Sequence, residues 1–281
     1  LNVFILGELH DPFGPRTKVE TASVDAADLV RSIETKHASA PSAHCVEDDA
    51  HPEPAASIEW RYLPLWNVAR EALTGYYATP IMPETGLPAP GYLTDKTPYA
   101  SSFYKKLDLE ALNQSESLLQ HLIEKGKRAL VGTSVHVHTL AAPDARSQVL
   151  TLLSSFDPTL SKYRIIKISS VPVGYPHHYL EEIIRFLQRK VPNIAITLKL
   201  GATNIEQVAR MNIAALGVGL PASLRRRDVE LTNEATGAIR HLAATCRAHR
   251  IKSYVEGEFS APNAVRMCAM GADILISPRI W

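Results

Sequence analysis

The sequence predicts an α/β fold, a TIM-type (β/α) barrel preceded by an N-terminal extension. Three observations lead there. From Ile58 onward, strand-like and helix-like segments alternate about seven times. The strand-like segments are almost wholly apolar, as strands of a parallel sheet buried on both faces are. No GxGxxG follows the first strand, as a doubly wound dinucleotide fold would carry. The repeat number favours closure into a barrel. An open doubly wound sheet is the alternative.

The elements follow in chain order. LNVFILGEL (1–9) reads as a strand, ended by the Gly/Pro turn HDPFGPR. DAADLVRSIETKH (25–37) reads as a short helix that Asp25 can cap. ASAPSAHCVEDDAHPEPAAS (38–57) has linker chemistry, with little apolar surface and prolines that block helix and sheet. The domain boundary is therefore placed near residue 57, with a segment 1–57 and a barrel 58–281. WRYLPLWNV and LTGYYATPIM read as the first two barrel strands. LDLEALNQSESLLQHLIEKG has a helical period and stops at Gly126. RALVGTSVHVHTL, YRIIKISSV, NIAITLKL, AALGVGL, KSYVEG and ADILISP are the remaining strands. The helices between them are SQVLTLLSSF, HHYLEEIIRFLQRKV, TNIEQVARMN, NEATGAIRHLAATCRAHR and APNAVRMCAMG.

Composition narrows the function classes. The 281 residues include 30 Lys+Arg and 29 Asp+Glu, a formal charge of +1, which argues against coating a nucleic-acid polymer. Arg225-Arg226-Arg227 reads as a solvated helix start. Cys45, Cys246 and Cys268 are too few and too scattered for a disulfide framework or a zinc site, and fit a reducing cytoplasm. No apolar run reaches the ~18 residues of a membrane span. The chain begins with Leu1, carries no visible signal peptide, and reads as part of something longer.

In a barrel, chemistry sits at the C-terminal ends of the strands. Those ends offer Tyr77, then Ser134 or the following His136 and His138, Ser169-Ser170, Leu198-Lys199-Leu200, Gly217-Val218-Gly219, Glu256 and Ile276-Ser277. Among them, Glu256 is the carboxylate. Hydrolysis of a phosphodiester with two cations needs several converging Asp or Glu oxygens. One carboxylate does not meet that need.

The order of elements and the phrases at their ends resemble the EAL domain, the bacterial cyclic di-GMP phosphodiesterase and receptor barrel. The resemblance covers about residues 58–281. VEGEFSAPNAVRMCAMGADILISP is similar to the family's AEGVET…GCDYVQGY segment, with Glu256-Gly257, Gly271 and Asp273 retained. Tyr62-Leu63-Pro64-Leu65 stands at YQPI, GYYAT at the EAL signature, LVGTSVHVHTL at LSVNLS, IIKISS at LEITE, ITLKLGA at DDFG and MNIAALGVG at LPVDxLKID. The resemblance implies a TIM barrel in cyclic di-GMP signalling. Position by position, the family's metal-binding Glu is Tyr77 here, its ligand Asn is Ser134, and its second ligand Glu is Ser170. The Asp pair is Leu198 and Lys199, the active-site Lys is Gly217, and the late Gln is Ile276. Glu256 matches the family's catalytic acid. The Gln of YQPI is Leu63, and near the position of the Arg after EAL stand Ile81 and Met82. The ligand pocket would thus be formed by Tyr62, Tyr77, Ser134, Ser170, Lys199, Gly217, Glu256 and Ile276, with no cofactor.

Other constellations weigh less. His136 and His138 form an HxH that would put both rings on one face of a strand, a metal pair if a third ligand joins. His177-His178 leads into a helix, and His44, Cys45, Asp48, Asp49 and His51 read as an acidic linker. Trp60, Tyr62, Trp66, Tyr76 and Tyr77 are wall packing, or aromatic bulk that plugs an old nucleotide pocket. The expectation is a non-catalytic regulatory module with a protein partner and room for a homodimer. Two alternatives stay open. One is a cyclic di-GMP receptor without hydrolysis. The other is an enzyme: a weak Mg²⁺- or Mn²⁺-dependent phosphodiesterase, or a hydrolase using His136, His138 and Glu256.

Overall fold

The computed structural model describes residues 4–6, 21–23, 58–82, 87–89, 101–221 and 230–278. Strands β1 (Phe4–Leu6) and β2 (Thr21–Ser23) pair antiparallel, and β1 meets the main sheet where Ile5 lies opposite Leu73. The helix expected at 25–37 and the linker at 38–57 lie outside the described residues. Strands β3 (Glu59–Asn67) and β4 (Ala72–Met82) form a hairpin, and β5 (Leu87–Pro88) pairs with the end of β4. Helix α1 (Ser101–Glu124) leads to β6 (Leu130–His136), then α2 (Val137–Ala141) and α3 (Pro143–Ser155). Next come β7 (Arg164–Ser169), α4 (His177–Gln188), β8 (Asn193–Lys199), α5 (Ile205–Ala209) and β9 (Ala215–Gly219). Helix α6 (Asn233–Ala248), β10 (Lys252–Glu256), α7 (Ala261–Ala269) and β11 (Ile274–Ile276) complete the series.

Eight strands close on themselves in the order β4-β3-β11-β10-β9-β8-β7-β6, with β6 pairing back to β4. The barrel expected from the sequence is present, but its sheet is mixed. Strand β3 runs antiparallel to both β4 and β11, while the other pairings in the ring are parallel. The reason is the β3–β4 link, residues 68–71. A parallel crossover takes a dozen residues or more, so a link this short can join only an antiparallel pair.

A second difference concerns RALVGTSVHVHTL, which is strand only to His136; Val137–Ala141 is helical. Asp108 of α1 accepts the backbone N–H of His136 at 2.9 Å through Oδ2 and marks the change.

The helices pack on the outside through the apolar stripes their spacing provides. On α4, Leu180, Ile183, Ile184 and Leu187 are buried, an i, i+3, i+4, i+7 pattern that puts all four on one face. Helix α7 starts as its residues dictate: Ser260 accepts from the N–H of Asn263, and Pro262 follows in the first turn. Gly257, at φ +143°, makes the tight exit from β10 that a β-carbon would strain. Among the described residues no helix is long and apolar enough to cross a membrane.

Candidate functional site

Alternation along each strand decides what points into the barrel. Leu63, Leu65, Tyr77, Leu130, Ile165, Ala195, Ala215, Tyr254, Ile274 and Ile276 form one buried cluster there, separate from the helix-facing cores. Two glycines make room for its largest members. A β-carbon on Gly132 would stand 2.6 Å from the Tyr77 ring, and one on Gly217 would stand 2.3 Å from the Tyr254 ring. Glycine at the paired position of the neighbouring strand is therefore what makes room for each tyrosine ring.

Lys167 of β7 and Glu256 of β10 meet inside this apolar wall as a directly bonded ion pair, both almost fully buried. The Lys167 ammonium also sits 4.4 Å from the centroid of the Tyr77 ring, a cation–π contact. The second carboxylate oxygen of Glu256 accepts from Thr197 Oγ1 at 3.3 Å, and Thr197 Oγ1 takes the Tyr254 hydroxyl at 2.6 Å. The Tyr77 hydroxyl bonds Ser134 Oγ at 3.3 Å. Polar groups thereby tie β4, β6, β7, β8 and β10 together across the barrel. Burial holds the Lys167 ammonium below the usual lysine value, and Glu256 offsets only part of that lowering. Burial pushes the Tyr77 and Tyr254 phenols well above the usual tyrosine value, so both remain neutral donors. Toward the starts of the parallel strands, a cavity of about 20 Å³ is lined by Tyr77, Ile165, Lys167, Ala195, Ala215 and Tyr254 among others. That is room for about one water molecule.

Of the pocket positions expected from the sequence, Tyr77, Ser134, Glu256 and Ile276 do converge inside the barrel, with Gly217 giving way to Tyr254. Three do not join them. Tyr62 faces outward and packs with Leu118, Leu119 and Leu122 of α1, its hydroxyl 3.4 Å from Gln114 Oε1. The β3 alternation that sends Leu63 inward sends Tyr62 out. Lys199 is exposed at the end of β8. Ser170 follows the end of β7 at φ +57°, with its hydroxyl buried and unbonded among the described residues.

His136 and His138 do not share a strand face, because His138 belongs to α2. Their rings still lie 5.2 Å apart, with the Tyr104 ring 4.5 Å from one and 5.2 Å from the other. Asp108 Oδ1 is 2.7 Å from His136 Nδ1 and holds that ring. Burial, and then His136, push the His138 imidazole down. Among the described residues no group of three or more His, Cys, Asp or Glu side chains is arranged to hold a metal ion.

Sequence reasoning missed Lys167, Thr197, Tyr254 and Asp108. For Lys167 the signal was present: in RIIKIS, alternation sets Lys167 on the face opposite Ile166 and Ile168. For Asp108 the signal was its place on the apolar stripe of α1, next to Leu107 and one turn after Tyr104. Tyr254 and Thr197 carried none, since their roles arise from strand register.

The donor set inside the barrel does not fit a divalent cation. Mg²⁺ and Mn²⁺ are held by several hard oxygens. Here the buried carboxylate is bonded to an ammonium, and its surroundings are aromatic rings, hydroxyls and aliphatic groups.

No family model and no curated protein matches the sequence. Solved structures do match. The Xanthomonas citri FimX EAL domain in complex with c-diGMP aligns at TM-score 0.58 and 12% identity, covering 78% of this chain and 85% of that one. The Klebsiella pneumoniae BlrP1 calcium/cy-diGMP complex aligns at TM-score 0.58 and 16% identity, covering 81% of this chain and 56% of that one. An EAL domain protein from Listeria monocytogenes aligns at TM-score 0.54 and 12% identity, covering 78% and 85%. At such identities the likeness speaks for the fold: the closed barrel described here, with its antiparallel β3, is an EAL-type TIM barrel.

Proposed function

We propose that this chain is a non-catalytic EAL-type regulatory module that works in cyclic di-GMP-related signalling through a protein partner. One observation carries the reading: the buried Glu256 is bonded to Lys167, inside a barrel filled by Tyr77 and Tyr254. A carboxylate neutralised by an ammonium is a poor cation ligand, and two tyrosine rings occupy the interior beside it. The signalling context rests on the similar structures, which include cyclic di-GMP complexes of FimX, BlrP1 and MucR.

The test is turnover of cyclic di-GMP by the purified chain with Mg²⁺ or Mn²⁺. No linear product is expected above the buffer rate. Turnover that disappears in Glu256→Gln would overturn the reading.

A further inference from the structure

Outside the barrel, α2, α3, α4 and the turn before α4 enclose a recess of about 290 Å³, lined by Ala141, Arg146, Tyr175, Tyr179, Glu182 and Ile183. Its lining combines two aliphatic side chains, two phenol rings, and a guanidinium beside a carboxylate. Arg146 Nη1 donates to Glu182 Oε1 at 3.2 Å, and the same guanidinium lies 5.1 Å from the centroid of the Phe186 ring. The Tyr179 ring packs on His178 with centroids 4.1 Å apart. The N–H of Tyr175 closes a turn onto the carbonyl of Pro172 at 3.1 Å, helped by Gly174 at φ +79°.

Exposed apolar side chains lie at and beside the recess. Among the described residues three large hydrophobic side chains stand well out into water; Tyr179, 53% exposed, lines the recess, and Val173, 72% exposed, lies in the turn that carries Tyr175. Exposed apolar surface grouped around a concavity marks a binding site.

The lining selects the ligand. An isolated phosphate or carboxylate meets Glu182 beside Arg146, and an isolated cation meets Arg146 beside Glu182, so neither single charge is favoured. A flat, neutral ring with acceptors on one edge and donors on the next satisfies both groups while stacking on tyrosine. Guanine has that pattern: O6 and N7 accept, and its amide and amino N–H groups donate. Adenine puts an amino donor where guanine has O6 and lacks the ring N–H. The volume is at the low end of the roughly 300–1,000 Å³ of small-molecule sites, enough for one base with its sugar outside.

We propose that this outer recess binds the guanine base of a guanosine nucleotide, stacked against Tyr175 and Tyr179, with Arg146 donating to O6 and N7 and Glu182 accepting from N1–H and the 2-amino group. The site is separate from the barrel interior and stands or falls independently of the turnover result.

The experiment is calorimetric titration of the full chain with guanosine, GMP and adenosine. Guanosine and GMP should bind with affinities within a few-fold of each other, because the base and not the phosphate is recognised. Adenosine should bind at least about tenfold more weakly. Tyr179→Ala should cost about tenfold or more through lost stacking, and Glu182→Gln should weaken guanosine while narrowing its advantage over adenosine. Both side chains are largely exposed, and an unchanged thermal transition would show that each variant folds. Absence of saturable guanosine binding, equal binding of adenosine, or full affinity in Tyr179→Ala would each overturn the assignment.

Discussion

Lys167 and Glu256 are the residues on which the interior turns. Each charge is buried, and each is tolerable only because the other is bonded to it; removing one partner of such a pair strands the other. Lys167→Met should therefore destabilise the fold by about 3–5 kcal/mol in urea unfolding. The double variant Lys167→Met/Glu256→Leu should recover much of that loss, since an apolar replacement of a buried pair is often neutral. A double variant as unstable as the sum of its singles would show that the two groups do not act as a pair. His138 gives a second residue-scale expectation. Its folded-state pKa is lowered from 6.5 by burial and by His136, so the unfolded chain takes up the proton first as pH falls. The neutral ring makes no difference to stability above that value, and stability is lost as pH drops through it. The urea midpoint should fall from pH 7.5 to pH 5.5 by more in the native protein than in His138→Gln.

At the scale of single elements, the barrel interior depends on small residues facing large ones. A methyl added at Gly217 would stand 2.3 Å from the Tyr254 ring, whose hydroxyl is held by Thr197. Gly217→Ala should cost about 1–3 kcal/mol, the usual penalty of overpacking. A methyl added at Gly237, within α6, would meet nothing within 4 Å beyond its own helix, and the backbone there is ordinary. Gly237→Ala should accordingly stabilise the protein by about 0.5–1 kcal/mol through helix propensity. Thermal unfolding of the two variants side by side checks both signs, and equal effects would refute the argument. Elsewhere the strand ends are pinned by local polar bonds. Asp273 takes the N–H of Ser253 at 2.9 Å and its hydroxyl at 2.8 Å, joining the start of β10 to the turn before β11.

For the whole molecule, ring closure is accomplished by residues between Glu59 and Ile276. Strand β1 adds to this ring at Ile5 opposite Leu73, outside the closed circuit. A chain lacking residues 1–57 should therefore still unfold in one cooperative transition, with its midpoint lowered by no more than a few degrees. Loss of cooperativity would place the segment inside the folding unit and move the proposed boundary at residue 57.

Much of this architecture is legible in residue order. The apolar strands, the 3.6-residue stripe of α4, the Ser260 cap and the glycine after Glu256 each depend on near neighbours, and local sterics and hydrogen bonding act on near neighbours. The strand-end position of Ile276 is legible for the same reason, whereas Tyr77, expected to close its strand, stands in the middle of β4, which runs on to Met82. Residue order does not decide which groups meet. Lys167 and Glu256 are 89 positions apart, and Thr197 and Tyr254 are 57 apart. They are brought together by the register and shear of a closed sheet, to which no short stretch of chain commits itself. The division of His136 from His138 between strand and helix likewise involves a distant group, Asp108, 28 positions from His136. Read alone, the chain commits itself to apolar strands buried under amphipathic helices. The ion pair and the two tyrosines at the barrel's centre become visible only once the ring has closed, because burial energy depends on who the neighbours are and not on where they fall along the chain.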